Sequence, residues 1–236
     1  LFYNKQVKKI STIFKRANTL ESVHEVKLLI KNSVGKTLIS TGNDNEYIYP
    51  RSSIKIFQAI PFVSTNAAKF FKLNSKIIAL SCSSHRGEDF HIKELEKWSK
   101  LINFNKSLLK CGIHYPLDPK ASKNIMNRNQ KINQLHNNCA GKHLAMISSC
   151  IINNYDTKNY LKFNHPHQIK IREVLKKFSE KKIKKVNYGI DGCSAPQYSF
   201  KIIDIIKMLN NLIKSYKNKF DNSYETRLLI DSIFKN

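Results

Sequence analysis

The order of apolar and polar positions predicts a strand pair early in the chain. Residues 25–31 (EVKLLIK) and 36–41 (KTLIST) are short runs rich in Leu, Ile, Val and Thr, and Gly35 lies between them. Two such runs on either side of a turn residue are typical of a β-hairpin.

Apolar residues at helical spacing predict several helices. Residues 90–102 carry an apolar face formed by Ile92, Leu95, Trp98 and Ile102. Another helix is expected to begin near Ser52 and to be kinked or stopped by Pro61. Three more are expected after NNCAG (137–141) through residue 152, over 164–178 with Asn164 as cap, and over 200–216.

Strand and helix patterns are mixed along the chain, which predicts an α/β or α+β fold. Residues 111–119 contain Gly and Pro and predict a loop, and residues 186–190 are expected to form a buried strand. With 236 residues the chain can bury a sizeable core, and we expect a single domain over residues 1–236. No apolar run approaches the ~18 residues of a membrane span, so no membrane contact is expected.

The net charge of +24 first suggests nucleic acid as a partner. However, only six of the forty-one basic residues are Arg, and the lysines are scattered along the chain. Lys, Asn and Ile are over-used together, as in a genome-wide compositional bias. We therefore expect a solvated basic surface and no nucleic-acid partner.

The five cysteines form no paired framework, and the first residues lack the apolar segment of a secretory signal. Both observations favour a reducing, cytoplasmic location.

One stretch suggests nucleophilic chemistry. In YPRSSIKIFQ (49–58), Ser52 and Lys55 are three positions apart, so on a helix their side chains would be neighbours. A buried lysine loses its proton more easily and could then accept the proton of a serine hydroxyl. The alternative is a helix cap followed by a solvated charge.

A second polar segment, SCSSHRGEDFH (81–91), follows an apolar run and contains Ser84, His85 and Glu88. It fits the edge of a cleft. It equally fits a helix start in which Ser84 is the cap and Glu88 belongs to the first turn.

The segments HNNCAGKH (136–143) and DGCSAP (191–196) offer two thiols. Cys139 and Cys193 could bind a soft metal such as zinc. The alternative is that they are buried and act as small apolar residues.

Together these stretches resemble the asparaginase II family, the Rhizobium-type, thermolabile L-asparaginases. The resemblance rests on six segments that occur in the family's order: ESVH (21–24), YPRSSIKIFQAIP (49–61), SSHRGEDFH (83–91), CGIHYP (111–116), NNCAGKH (137–143) and YGIDGCSAP (188–196). It implies a fold like that of serine β-lactamases and glutaminases, and hydrolysis of L-asparagine to aspartate and ammonia. It also implies a homodimer.

The resemblance further implies roles for individual residues. Ser52 would be the nucleophile, Lys55 its base and Ser84 a second serine of the pocket. Cys139, Lys142 and Cys193 match a zinc site that is structural or positions the substrate. Asp191 is a candidate for the substrate's α-amino group, and Arg51, His85 and Glu88 match further positions of the substrate pocket.

One departure from the family pattern concerns the end of the chain. Family members carry a later lysine that partners the second serine, whereas this sequence ends at IDSIFKN without the matching segment. We therefore expect a C-terminally incomplete chain in which Ser84 has no lysine partner. Two alternatives follow: an inactive remnant, or another serine–lysine amide hydrolase of β-lactamase type, although no KTG or SDN element is present.

Overall fold

The computed structural model describes residues 5–6, 10–32, 34–42 and 44–236, with side chains described from residue 10 onward. Helices dominate, and the strands form small sheets. The strands are β1 Lys5–Gln6, β2 Ile10–Arg16, β3 Thr19–Val26, β4 Leu29–Lys31, β5 Thr37–Ser40, β6 Tyr47–Ile48, β7 Tyr188–Ile190, β8 Pro196–Tyr198 and β9 Phe200–Lys201. The helices are α1 Lys55–Ser64, α2 Ala67–Phe70, α3 Ser75–Leu80, α4 Asp89–Leu101, α5 Pro119–Asn127, α6 Ala140–Ile152, α7 Pro166–Ser179, α8 Ile202–Tyr216 and α9 Ser223–Lys235.

The sheets are short and connect distant parts of the chain. The largest has the order β1-β5-β4, with β1 parallel and β4 antiparallel to β5. Strand β6 pairs with β9 and strand β7 with β8, both antiparallel. The fold is thus α+β, and the β-lactamase-like fold stays a prediction.

The core is built around α1 and α6. Both helices are buried on nearly all sides, as expected for helices without a polar face. The buried set includes Phe57 and Phe62 of α1, Trp98 of α4 and Leu144 of α6. Because these helices lie in the interior, polar groups at their first turns are also withdrawn from water.

Several predicted elements are present with shifted boundaries. The pair β4–β5 confirms the hairpin at Gly35, and α4 confirms the amphipathic helix. Residues 111–118 form the expected loop, after which α5 begins at Pro119. Helix α8 begins at Ile202, because the two preceding residues pair with β6 instead.

Of the two outcomes expected at Pro61, a stop is excluded: helix α1 continues to Ser64, because the following Phe62 and Val63 are buried in the core. Two other expectations are wrong. The cap of α7 is His165, whose Nδ1 accepts the N–H of His167 at 3.2 Å, rather than Asn164. The strand at 188–190 is not buried.

That strand lies at the surface. Ile190 is 69% exposed, and Val186 just before the strand is 83% exposed. An apolar sequence alone does not distinguish a core strand from an edge hairpin, and here β7 pairs only with β8 among the described residues. Within the described part of the chain, no helix is both long and apolar enough to cross a membrane.

Candidate functional site

The two serines and the lysine predicted from sequence converge. Lys55 begins α1 directly after a 3-10 turn that contains Ser52, and its side chain is 2% exposed. Its ammonium donates to Ser84 Oγ at 2.7 Å and to the Ser83 carbonyl at 2.8 Å. Ser84 Oγ in turn donates to Ser52 Oγ at 3.1 Å. The three groups form one hydrogen-bonded chain, Lys55–Ser84–Ser52.

This arrangement excludes two alternatives left open by the sequence and corrects one expectation. Lys55 is buried, so it is not a solvated surface charge. Ser84 does not cap a helix, because the residue before α4 is Glu88. Ser84 also has a lysine partner, since Lys55 itself lies within hydrogen-bond distance of it. Helical spacing brings Lys55 near Ser52, but the lysine reaches that hydroxyl through Ser84.

Burial sets the protonation of Lys55. Removal from water lowers the pKa of its ammonium, and this effect exceeds the opposing interactions with Cys139. The lowered pKa increases the fraction of neutral amine, which is the form that can accept a proton.

The loop that carries Ser84 is held by close packing. Gly87 has φ +78°, and a Cβ at this position would approach Pro116 Cα to 2.9 Å. The Arg86 carbonyl accepts the N–H of Asp118, and the Arg86 guanidinium pairs with its carboxylate at 3.2 Å. A side chain at position 87 would therefore push the 111–118 loop away from Ser84.

His85 and Glu88 lie on a cavity next to Ser84. The cavity has a volume of about 550 Å³, and Ser84, His85, Glu88 and His91 are among its lining residues. Burial first, then the charges of His91 and Lys55, lower the pKa of His85 to about 3, so this imidazole is neutral near pH 7. Its Nε2 has no hydrogen-bond partner within the described residues.

Arg51 and Asp191 pair with each other beside Ser52. The guanidinium lies 2.6 Å from Asp191 Oδ1. Arg51 has φ 53°, a left-handed conformation that is costly for a residue other than Gly. Gln197 Nε2 donates to the Arg51 carbonyl at 3.1 Å, so the segment after Asp191 holds this strained backbone.

Cys139, Lys142 and Cys193 also come together. Lys142 Nζ donates to Cys193 Sγ at 3.3 Å, and all three side chains are buried. Helix α6 reaches this position because Gly141 packs against α3, where a Cβ would lie 2.1 Å from the Leu80 carbonyl oxygen. The two thiols therefore belong to a polar cluster with Lys142 and do not act only as small apolar residues of the core.

The two thiols have opposite pKa shifts. The Cys139 thiol hydrogen-bonds to Cys193, which raises the pKa of Cys139 and lowers that of Cys193. Hydrogen bonding to His143 and the charge of Lys142 lower the pKa of Cys193 further. The structure thus favours a Cys193 thiolate beside the Lys142 ammonium.

The same cluster is the only zinc candidate from the sequence. Among the described residues, no group of three or more His, Cys, Asp or Glu side chains could hold a metal ion. The donors that do converge are two thiols and an amine. Thiols suit zinc, whereas an amine must first lose its proton to bind it.

Sequence reasoning missed two groups near these centres. The Ser83 carbonyl orients the Lys55 ammonium. His143 is fully buried, and its Nδ1 lies 2.7 Å from Tyr160 Oη. Its position next to Lys142 in the sequence was the available signal, whereas a backbone carbonyl leaves no signal in a sequence.

A comparison with models of known protein families identifies the family of this chain. The family model described as L-asparaginase II matches residues 13–235, which is nearly the whole chain and includes every site residue described above. A search of curated proteins found no significant match.

Proposed function

The chain belongs to the L-asparaginase II family, and we propose that it hydrolyses the side-chain amide of L-asparagine to L-aspartate and ammonia. Family membership supports an asparaginase-like amidohydrolase. The observation that carries the finer proposal is the hydrogen-bonded chain from Lys55 through Ser84 to Ser52. It connects a buried amine to an exposed hydroxyl, as activation of a serine nucleophile requires.

In the proposed reaction Ser52 Oγ attacks the amide carbon. Its proton passes to Ser84 Oγ while the proton of Ser84 passes to the neutral amine of Lys55. The proton then returns along the same path to the leaving nitrogen, which departs as ammonia and leaves an acyl ester on Ser52. Water, activated by the same relay, hydrolyses that ester and restores the three groups.

The pair Arg51–Asp191 supports recognition of a free amino acid. Asp191 carries the negative charge that an α-ammonium group needs, and Arg51 the positive charge for an α-carboxylate. Both lie beside Ser52, so a substrate held by both would present its side chain near the nucleophile. His85 and Glu88 line the adjoining cavity and are proposed to complete the pocket.

We also propose that Cys139, Lys142 and Cys193 hold a zinc ion. Two buried sulfurs fit a soft divalent metal, and Lys142 would be the third donor once its ammonium has lost its proton. The ion would be structural or would orient the substrate, and the serine–lysine relay needs no metal. The homodimer and the cytoplasmic location stay predictions.

The test is ammonia release from L-asparagine by single variants of neighbouring serines. Ser52→Ala should reduce the rate to background, and Ser84→Ala should reduce it by about 10²-fold or more because the proton path is interrupted. Ser53→Ala is the matched control. Ser53 is also exposed, and within the described residues its Oγ donates to the Pro50 carbonyl rather than to the relay, so this variant should retain the wild-type rate.

Other outcomes identify the alternatives. If Ser52→Ala is as active as wild type, the assigned nucleophile is wrong. If the wild-type chain releases no ammonia from asparagine but does so from glutamine or another amide, the substrate assignment is wrong while the relay stands. If the folded chain hydrolyses no amide at all, it is an inactive relative of the family.

A further inference from the structure

A groove with many lysines lies away from the serine–lysine relay. Two cavities of about 760 Å³ and 590 Å³ adjoin each other along the start of α8, and both are lined by Lys181, Lys201 and Asp204. Neither is lined by Ser52, Ser84 or Lys55. We call the two cavities together the lysine groove.

The groove concentrates positive charge. Its lining includes six lysines, namely Lys31, Lys181, Lys182, Lys184, Lys201 and Lys207. Lys207 is paired with Glu180 at 2.5 Å, and Lys201 donates to Asn45. The side chains of Lys181, Lys182 and Lys184 have no hydrogen bond or ion pair within the described residues. These three ammonium groups are therefore available to anions.

One buried acceptor is also unused. Asp204 is 6% exposed, and its carboxylate has no hydrogen bond or ion pair among the residues that the structure describes. It lies in the first turn of α8, where the helix dipole favours a negative charge. A carboxylate on the cavity wall can accept a hydrogen bond from a donor of the ligand.

Apolar side chains continue along the same wall. Leu209 and Ile213 of α8 line the larger cavity and are 43% and 54% exposed. The ligand therefore should present apolar groups next to its anionic groups. A single ligand must therefore offer anionic groups to the lysines, a hydrogen-bond donor to Asp204 and apolar groups to Leu209 and Ile213.

We propose that the lysine groove binds an extended acidic segment of a partner protein. Carboxylates of Asp or Glu would pair with Lys181 and its neighbours, a backbone N–H would bind Asp204, and apolar side chains would cover Leu209 and Ile213. A second copy of this chain fits this groove less well, because the groove lining is rich in lysine and each copy is itself basic, with a net charge of +24. Nucleic acid fits less well, because the groove lining contains no Arg and its one exposed aromatic ring is Tyr47.

The experiment measures binding of labelled probes to the whole chain by fluorescence anisotropy. The probes are a short peptide of Glu and Leu, its Lys and Leu counterpart, and a single-stranded oligouridine of similar length. The proposal expects the acidic peptide to bind, the basic peptide not to bind, and affinity to fall as salt is raised. Stronger binding of oligouridine than of the acidic peptide would overturn it.

Two variants locate the binding. Lys181→Glu combined with Lys184→Glu changes exposed groove residues and should weaken acidic-peptide binding by about tenfold or more. The control is Lys120→Glu with Lys123→Glu on α5, which makes the same charge change on exposed residues outside the groove. Equal losses in both pairs would mean non-specific attraction to net charge and would contradict the proposal.

The variant Asp204→Asn distinguishes binding of a peptide backbone from binding of a simple polyanion. Loss of the carboxylate should weaken the acidic peptide, because its N–H donor loses an ionised acceptor. If binding tightens instead, the carboxylate only repels the probe and its assignment is wrong. Circular dichroism of each variant establishes that the fold is retained.

Discussion

Two buried lysines in this protein have the same sequence spacing and different surroundings. Lys55 follows Ser52 by three residues at the start of α1, and Lys142 follows Cys139 by three residues in the first turn of α6. Both side chains are almost fully buried, at 2% and 3% exposure. The difference lies in the atom that each ammonium contacts, which is an oxygen for Lys55 and a sulfur for Lys142.

The two partner groups, a hydroxyl and a thiol, differ in how easily they ionise. A serine hydroxyl does not ionise near neutral pH, so the Ser84 contact supplies no full negative charge and burial lowers the pKa of Lys55. A thiol ionises far more easily, and the pKa of Cys193 is lowered, first by its hydrogen bond with Cys139 and then by His143 and the charge of Lys142. The oxygen site therefore favours a neutral base, whereas the sulfur site favours an ion pair. The same local spacing thus places one buried lysine beside a hydroxyl and the other beside a thiol, and the two proposed roles rest on that difference.

The largest expected effect is a difference in enzymatic activity between variants of the two lysines. Lys55→Met should lower ammonia release from L-asparagine by about 10²- to 10⁴-fold, because it removes the proton acceptor. It should leave the fold intact, since Met fills similar space without a buried amine. Lys142→Met is the matched comparison, and the relay predicts a smaller loss. A Lys55→Met enzyme with the wild-type rate would show that the relay is not the catalytic base.

The second expected effect concerns metal binding at the sulfur site. Elemental analysis of the purified chain should find zinc near one equivalent, and Cys193→Ser should lose it because a soft ligand is replaced by a hydroxyl. A chelator should lower the melting temperature of the wild type but not that of Cys193→Ser. Ser52→Ala, which alters only the oxygen site, should keep the metal. Absence of zinc from the wild type, with unchanged stability in Cys193→Ser, would leave the cluster a thiol–amine pair.

The smallest expected effect is a pH dependence of stability from Lys55. Its pKa is lowered in the folded state, so between the folded value and the ordinary ~10.4 the unfolded chain binds more protons. The contribution of Lys55 to the free energy of unfolding must therefore rise as the pH is raised across that window. It is lost again as the pH is lowered to and through the folded pKa. Urea unfolding at several pH values, with Lys55→Met as reference, measures it. An identical pH slope in both proteins would mean that the pKa is not lowered.

Local patterns were informative where residues close in sequence determine the structure. Helix α4 followed from its apolar spacing, and the hairpin at Gly35 from two short runs around a turn residue. Whether α1 stops at Pro61 or continues past it could not be decided in this way. A proline removes one backbone hydrogen bond, and whether the helix continues depends on how much the following residues gain by burial.

For the candidate site, the reactive residue types, their short spacings and the resemblance to a family can all be read from the amino-acid order. Which of these groups meet depends on how the chain folds. Lys55 contacts Ser84 from 29 positions away, and Lys142 contacts Cys193 from 51 positions away. Arg51 and Asp191 are likewise joined only by folding. The physical reason is that hydrogen bonds, ion pairs and the desolvation that shifts a pKa depend on distance in space, and the packing of α1, α3 and α6 sets that distance.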